Sequence, residues 1–207
     1  VDLPGHGRSG GEPLKTVYEM AQWVIEVLDA AGLTDAALVG HSLGSLVAVA
    51  AAALHPQRIR AIALIGTTVP MPVSDYLLER ARENNHEAIE MLTFWGFSKS
   101  AQLGGNATPG NWMLGGGLRL MEKAEPGVIH TDLVACNEYR EGLEHAKMVE
   151  CPALLVLGER DMLTPVRSAM KLADALPNAE KVVLKGSGHA LLAERPDIVL
   201  DQLIRMV

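Results

Sequence analysis

The sequence predicts an α/β fold, with a mostly parallel sheet and flanking helices, and three observations support this. Short apolar runs that are typical of buried strands alternate with segments of helical periodicity over the first 65 residues. The same alternation resumes after residue 150. The stretch between them, about residues 70–147, contains no convincing strand pattern. Such an order is typical of parallel strands joined by helical crossovers, with one helical insertion.

The first half of the chain begins with a glycine-rich loop and then alternates helices with strands. Val1-Asp2 is interpreted as the end of a strand, and the loop Pro4–Gly11 follows it. Gly32 ends the first predicted helix, because glycine tolerates the left-handed conformation found after helix ends. The predicted helices are Thr16–Ala31 and Leu43–Leu54, and the predicted strands are Ala36–Gly40 and Ile59–Ile65.

The last quarter of the chain repeats the strand–helix order. Thr164 is the expected N-cap of one helix, with Pro165 at its first helical position. The predicted strands are Ala153–Leu157 and Lys181–Lys185, and the predicted helices are Pro165–Leu176 and Pro196–Met206.

The insertion is predicted to be helical, with helices over Ser74–Leu92 and Ile129–Lys147. Four of the five Phe and Trp residues of the chain lie in it. These side chains either line an apolar pocket over the sheet or form the insertion's own small core, and both interpretations stay open. They are Phe94, Trp95, Phe97 and Trp112.

Composition excludes several classes of protein. The 207 residues carry a net charge of −7, from 18 basic and 25 acidic side chains, without a basic cluster. We therefore expect no nucleic acid and no membrane surface as a partner. The apolar runs are too short for a transmembrane helix of about 20 residues. Two isolated cysteines, Cys136 and Cys151, make neither a disulfide framework nor a zinc site, so a cytoplasmic location is expected.

A candidate nucleophile lies in Gly40-His41-Ser42-Leu43-Gly44, which fits the pattern G-x-S-x-G. The motif joins a predicted strand to a predicted Ala-rich helix. A sharp turn at this position exposes the Ser42 hydroxyl, and small neighbours allow the turn to close. The Leu43 N–H at the helix start is a candidate donor to an oxyanion. A plain glycine-bounded turn with a capping serine is the alternative.

A serine hydroxyl needs a base, and His189 is the strongest candidate among seven histidines. It follows the last predicted strand in Gly186-Ser187-Gly188-His189, at the sheet edge where open α/β sheets bind ligands. His41 either packs behind the serine turn or contacts substrate. His6 lies in the opening loop, from which it could reach the site.

The acid that orients the base is expected on a loop after another strand. Asp161 meets this condition, and Glu159 is its competitor two residues earlier. A surface aspartate that caps the next helix is the alternative role for Asp161. The resulting order, Ser42 then Asp161 then His189, differs from the orders in chymotrypsin-like and subtilisin-like proteases.

These motifs together resemble the α/β-hydrolase superfamily. Asp2–Ser9 resembles the loop after the family's fourth strand, and Gly40–Gly44 resembles its nucleophile elbow. Gly158–Pro165 is similar to its acid loop, and Gly186–His189 with Pro196 to its histidine loop and final helix. The resemblance implies a core of residues 1–69 and 148–207. It implies that residues 70–147 form the helical cap.

The resemblance implies a serine hydrolase that cleaves an ester or related acyl bond of a small to medium, largely apolar substrate. Ser42, His189 and Asp161 would form the triad, with Leu43 as one oxyanion donor. The implied substrate contacts are His41, Trp95, Trp112 and Met113. Neither a metal nor an organic cofactor is expected. The partner is a small-molecule substrate, and a homo-oligomer stays open.

The resemblance also implies an N-terminally incomplete fold, because family members have further strands before this start. A loop after one of those strands would supply the second oxyanion donor. Three alternatives stay open: a non-catalytic, ligand-binding member of the fold; a variant with lactonase, carbon–carbon hydrolase or perhydrolase activity; and a truncated, inactive product. Ser42 argues against dehalogenases and epoxide hydrolases, which have aspartate at the elbow.

Overall fold

Four parallel strands form the sheet in the computed structural model, which describes residues 1–106 and 110–206. Neighbours in sequence are neighbours in space, in the order β1-β2-β3-β4. Register is continuous between the last three strands, and one irregularity lies between Ala36 and Ala37 at the start of β1. The strands are β1 (Ala36–His41), β2 (Ile59–Ile65), β3 (Ala153–Gly158) and β4 (Ala179–Leu184).

The first two helices pack on this sheet through a shared apolar core. α1 (Val17–Ala30) begins at a capping box, in which the Thr16 hydroxyl accepts from the Glu19 N–H and the Glu19 carboxylate accepts from the Thr16 N–H. α2 (Leu43–Leu54) is buried along nearly its whole length. Its alanines are small enough for close approach to the strands, so α2 lies at the centre of the larger core.

Between β2 and β3 the described residues form six helices and no strand. The Ser74 side chain caps α3, as expected. The last of the six packs against α2, which joins the end of the insertion to the core. They are α3 (Asp75–Arg82), α4 (His86–Gly96), α5 (Lys99–Gln102), α6 (Met113–Met121), α7 (Val128–Glu138) and α8 (Gly142–Met148).

The insertion contains two breaks that sequence periodicity did not predict. The helix expected over Ser74–Leu92 is two helices, because Asn84 adopts a positive φ of 51° and Asn85 caps α4 by accepting from the Glu87 N–H. The helix expected over Ile129–Lys147 also breaks, where Tyr139 leaves the helical conformation after α7. Apolar residues at helical spacing lie on both sides of each break, which favours one long helix in each span, although the six residues 82–87 around the first break are all polar.

The remaining helices follow β3 and β4: α9 (Val166–Ala175), α10 (Leu191–Glu194) and α11 (Pro196–Met206). The expectation that Thr164 caps α9 is wrong. Pro165 is the N-cap residue, and no side chain caps this helix. The Thr164 hydroxyl donates to Asp161 instead, so it is not available to cap the helix.

The opening segment differs from its prediction as well. Val1-Asp2 forms no strand among the described residues. The Asp2 polar groups are used inside the loop, where its carboxylate accepts from the Arg8 N–H and its carbonyl from the Ser9 hydroxyl. Elsewhere the predicted parallel sheet, its flanking helices and the helical insertion are confirmed. Within the described ranges no helix has the length and apolar character needed to cross a bilayer.

A glycine pair at the β1–α2 turn gives a stability test. A Cβ added at Gly40 would overlap the backbone of Gly44, whereas one added at Gly44 would meet nothing. We expect Gly40→Ala to lower the free energy of unfolding by about 2–3 kcal/mol through overpacking. The control, Gly44→Ala, should be neutral or stabilising by up to about 1 kcal/mol because it lies in a helix. Urea titration measures both, and equal effects would contradict this account of the turn.

Candidate active site

Ser42 occupies a strained turn between β1 and α2. Its φ of 52° and ψ of −120° lie in a region that non-glycine residues rarely adopt. The backbone around it is held in place: the Ser42 N–H donates to the Ile65 carbonyl at 3.0 Å, and the Ser45 N–H donates to the Ser42 carbonyl at 2.8 Å. The turn places the Ser42 side chain at the carboxyl end of the sheet. α2 begins at Leu43, so the Leu43 N–H has no acceptor within the helix.

The structure brings His189 and Asp161 into direct contact. His189 lies on the loop after β4, and its Nδ1 is 2.8 Å from Asp161 Oδ2, on the loop after β3. Both side chains are almost fully buried. Because a carboxylate oxygen only accepts, Nδ1 carries the proton and Nε2 is left as the basic nitrogen. His189 and Ser42 line the same cavity, and among the described residues no hydrogen bond joins Ser42 Oγ to His189 Nε2.

The Asp161 carboxylate accepts four hydrogen bonds. Oδ1 accepts from the N–H groups of Leu163 at 2.8 Å and Thr164 at 2.7 Å, and Oδ2 accepts from the Thr164 hydroxyl at 2.6 Å in addition to His189. Burial alone would raise the pKa of Asp161. The hydrogen bond and charge of His189, with the bonds from Thr164, outweigh burial and lower that pKa below its ordinary value. Asp161 is therefore a fixed anion.

Glu159, the competing acid, lies on the same loop and has a different role. Its carboxylate accepts from the Gly186 N–H at 2.9 Å, and its side chain is 44% exposed. It makes no hydrogen bond with a histidine in the part of the chain that is described. Glu159 therefore joins the acid loop to the histidine loop at the surface.

His41 and Gly66 pack against His189. His41 Nε2 donates to the His189 carbonyl at 2.9 Å, and the two imidazole rings are 4.6 Å apart. Burial, and then the neighbouring charge of His189, lowers the pKa of His41 to about 4. Gly66 has a positive φ of 55°, and a Cβ there would lie 3.0 Å from His189 Nδ1. His41 therefore packs behind the Ser42 turn and holds the His189 backbone, and it also lines the larger cavity.

Two cavities meet at Ser42. The larger, of about 350 Å³, extends under the insertion, and the smaller, of about 260 Å³, extends towards α3. Ser42 and four mostly apolar residues line both. Burial, and then the charge of Asp132, raises the pKa of the Cys136 thiol to about 12, so this thiol is part of the apolar wall and not a nucleophile. The shared residues are Ser42, Leu92, Leu133, Cys136 and Leu163.

The aromatic residues chosen from the sequence are only partly brought to the site. Trp95 lines the smaller cavity. Trp112 lines neither cavity: its side chain is 67% exposed, because it precedes α6 and covers Gly115 from outside. Met113 packs with Phe97, Ala101 and Leu114 in a small core of the insertion. Both interpretations of the insertion's side chains thus hold for different residues.

The sequence predicts no role for two polar residues in or near the site, Asp132 and Glu194, and it predicts a helix-capping role for a third, Thr164. Thr164 hydrogen bonds to both Asp161 and His189. Asp132 on α7 bonds His6 of the opening loop at 2.8 Å, and both line the larger cavity, as the position of His6 allowed. Glu194 is buried beside the histidine loop. Asp132 is far from the motifs in sequence, and Glu194 lies between His189 and Pro196, where no local pattern predicts its contact with Ser98 of the insertion. The described residues contain no cluster of three His, Cys, Asp or Glu that could hold a metal ion.

Comparison with known proteins identifies the family of this chain. The family model described as the alpha/beta hydrolase family matches residues 1–202. A pimeloyl-[acyl-carrier protein] methyl ester esterase of Chromobacterium violaceum is 30% identical over 207 residues, which covers 96% of this chain and 79% of that protein. A protein provisionally named carbamate hydrolase RutD, of Azorhizobium caulinodans, is 26% identical and covers 98% of this chain and 78% of its own.

A solved structure of a thermophilic esterase aligns with a TM-score of 0.84 at 27% identity, over 99% of this chain and 77% of that chain. The chain belongs to the alpha/beta hydrolase family. The family and fold implied by the sequence motifs are therefore confirmed.

His41 makes a measurable prediction about acid stability. Its pKa is lower in the folded protein than the ordinary histidine value, so the unfolded chain takes up the proton first as pH falls. The neutral, buried form of His41 therefore contributes its full stabilisation of the folded protein above about pH 6.5, and this stabilisation is lost as the pH falls towards about 4. We expect the free energy of unfolding to fall by about 2–3 kcal/mol from about pH 7.5 to about pH 4.5 on this account.

The variant His41→Gln should lose most of this pH dependence. His130→Gln, which changes a half-buried histidine on α7, is the matched control and should keep it. Urea titrations at both pH values give the comparison. An unchanged pH dependence in His41→Gln would mean that another group is responsible.

Proposed function

We propose that this protein is a serine hydrolase that cleaves an ester or related acyl bond of a small to medium, largely apolar substrate. The observation that carries the proposal is the hydrogen bond from His189 Nδ1 to Asp161 at 2.8 Å. It leaves Nε2 free to take a proton, in a cavity that Ser42 also lines. The names of relatives support hydrolysis at an acyl group, since one is a methyl ester esterase and another a thermophilic esterase.

In the proposed reaction Ser42 Oγ attacks the substrate carbonyl while His189 Nε2 takes the hydroxyl proton. Asp161 stabilises the resulting imidazolium. The oxyanion accepts a hydrogen bond from the Leu43 N–H at the start of α2. His189 then returns the proton to the leaving alcohol, and the carbon–oxygen bond of the ester breaks. A water molecule, deprotonated by the same nitrogen, hydrolyses the acyl-enzyme and restores Ser42.

The cavities support the proposed substrate class. We propose that residues 1–69 and 148–207 act as the catalytic core and that residues 70–147 act as a cap. The cap side of the larger cavity is mostly apolar. Because the two cavities meet at Ser42, one would hold the acyl part of a substrate and the other the alcohol part. Their sizes suit small to medium esters.

Covalent labelling tests the nucleophile. A fluorophosphonate should form one adduct, by transfer of the phosphonyl group to Ser42 Oγ with loss of fluoride. Intact-mass measurement should show this adduct in the wild-type protein and none in Ser42→Ala or in denatured wild type. Hydrolysis of p-nitrophenyl butanoate should fall to background in the same variant. An adduct that persists in Ser42→Ala would overturn the assignment, and labelling without repeated turnover would favour a ligand-binding member of the fold.

The identity of the acid can be tested by two matched amide substitutions. Asp161→Asn presents an amide N–H to His189 and favours the wrong tautomer, so kcat should fall by about 10³–10⁴-fold. Glu159→Gln changes an exposed carboxylate on the same loop and should alter kcat by less than about threefold. Steady-state kinetics on the same ester measures both. A larger effect at Glu159 would show that the acid is misassigned.

A further inference from the structure

A buried carboxylate joins the insertion to the loop that carries His189. Glu194, at the end of α10, is 3% exposed. Its Oε1 accepts from the Ser98 N–H at 2.9 Å and the Gly188 N–H at 3.1 Å, and its Oε2 accepts from the Ser98 hydroxyl at 2.6 Å. We call these three residues the Glu194 network. Ser98 belongs to the insertion and Gly188 directly precedes His189, so one side chain connects both.

The two segments also touch through their backbones. The Ala190 N–H donates to the Gly96 carbonyl at 2.8 Å, so the residues on both sides of His189 are bonded to the insertion or to Glu194. A Cβ at Gly188 would lie 2.8 Å from Glu194 Oε1 and 2.8 Å from the Gly96 carbonyl oxygen. Only a glycine at position 188 therefore permits this approach.

The Glu194 carboxylate has no cationic partner in the described ranges, although it is almost completely buried. A buried carboxylate is costly unless it is well hydrogen-bonded, and these three donors satisfy it. Because the donors come from the insertion and from the histidine loop, their hydrogen bonds to one carboxylate fix the distance between these two segments. Loss of the side chain would leave the Ser98 and Gly188 N–H groups unpaired in the interior and free the segments to separate.

We propose that Glu194 is a positioning residue for catalysis: it fixes the loop of the base His189 against the Gly96–Ser98 segment of the insertion. This inference rests on the proposed function, in which His189 is the base. Glu194 itself touches neither Ser42 nor the cavities among the described residues. It acts through Gly188, and a displacement of about 1 Å at the base is enough to cost about a hundredfold in rate.

The test compares two substitutions of Glu194. Glutamine can keep the network, since its oxygen can accept from both N–H groups and its amide can donate to the Ser98 hydroxyl. Methionine fills similar space and accepts none of these bonds. We expect Glu194→Gln to retain kcat within about fivefold. We expect Glu194→Met to lose about a hundredfold in kcat with KM changed by less than about threefold.

A second variant and a stability control keep the test decisive. Ser98→Ala removes the hydroxyl that donates to Glu194 and that caps α5 by accepting from the Ala101 N–H, and it keeps the Ser98 N–H, so kcat should fall by about tenfold in a folded protein. Val199→Ala, on the buried face of α11, should lower the melting temperature without changing kcat. If kcat in Glu194→Met and Ser98→Ala changed no more than in Val199→Ala, the role would be merely structural and the proposal would be overturned.

Proton NMR separates this proposal from the proposed function. The Nδ1–H of His189, bonded to Asp161, should give a resonance far downfield in the wild type and in Glu194→Gln. It should shift or broaden in Glu194→Met and Ser98→Ala. This signal does not require turnover, so it tests the positioning role even if Ser42 fails to label. An unchanged resonance in both variants would overturn the positioning role, whereas absence of labelling in the wild type would overturn only the proposed function.

Discussion

The positive φ of Ser42 is the constraint on which the rest of the site depends. A non-glycine residue in this conformation costs about 1–3 kcal/mol, and it persists only where its surroundings hold it. Here the hydrogen bond from the Ser42 N–H to Ile65 fixes the turn to the neighbouring strand, and Ser45 holds the Ser42 carbonyl. Burial of α2 behind the turn supplies the opposing free energy, since its apolar side chains are almost fully excluded from water. The strain is therefore maintained by the core of the fold and not by the site itself.

Fixed hydrogen bonds position the other two groups of the proposed triad in the same way. Asp161 is held by backbone N–H groups of its own loop, and His189 is held through its carbonyl by His41 and through its neighbour Gly188 by Glu194. The His41 bond joins the end of β1 to the loop after β4, and Glu194 also accepts from Ser98 of the insertion. The geometry of the base is thus determined by several elements together, and the imidazole needs little reorganisation when it takes a proton.

The parts of this structure that the sequence could predict are those with local signals. The strands around Ser42 and the helix α2 follow from short apolar runs and a glycine-bounded turn. The predicted first and last residues of α2 are the observed ones. The breaks at Asn84 and Tyr139 differ from the predicted single helices, because apolar residues at helical spacing lie on both sides of each break; the polar run of residues 82–87 is the one local signal at the first. Thr164 was assigned to a helix cap since its neighbour is a proline. Only the three-dimensional contact with Asp161 shows that its hydroxyl is used there.

The distribution of polar groups between core and insertion separates the residues of the proposed chemistry from the apolar walls of the cavities. The polar groups nearest to the proposed chemistry lie on loops after the strands, where the sheet fixes them. The insertion contributes mainly apolar walls to both cavities, with Asp132 as its one carboxylate among the described lining residues. Its Gly96–Ser98 segment is bonded to the histidine loop and Glu194, so that segment cannot move without disturbing the base. If the protein is the proposed serine hydrolase, changes of substrate preference would therefore be accommodated best on α6 and α7, which line the larger cavity away from these bonds.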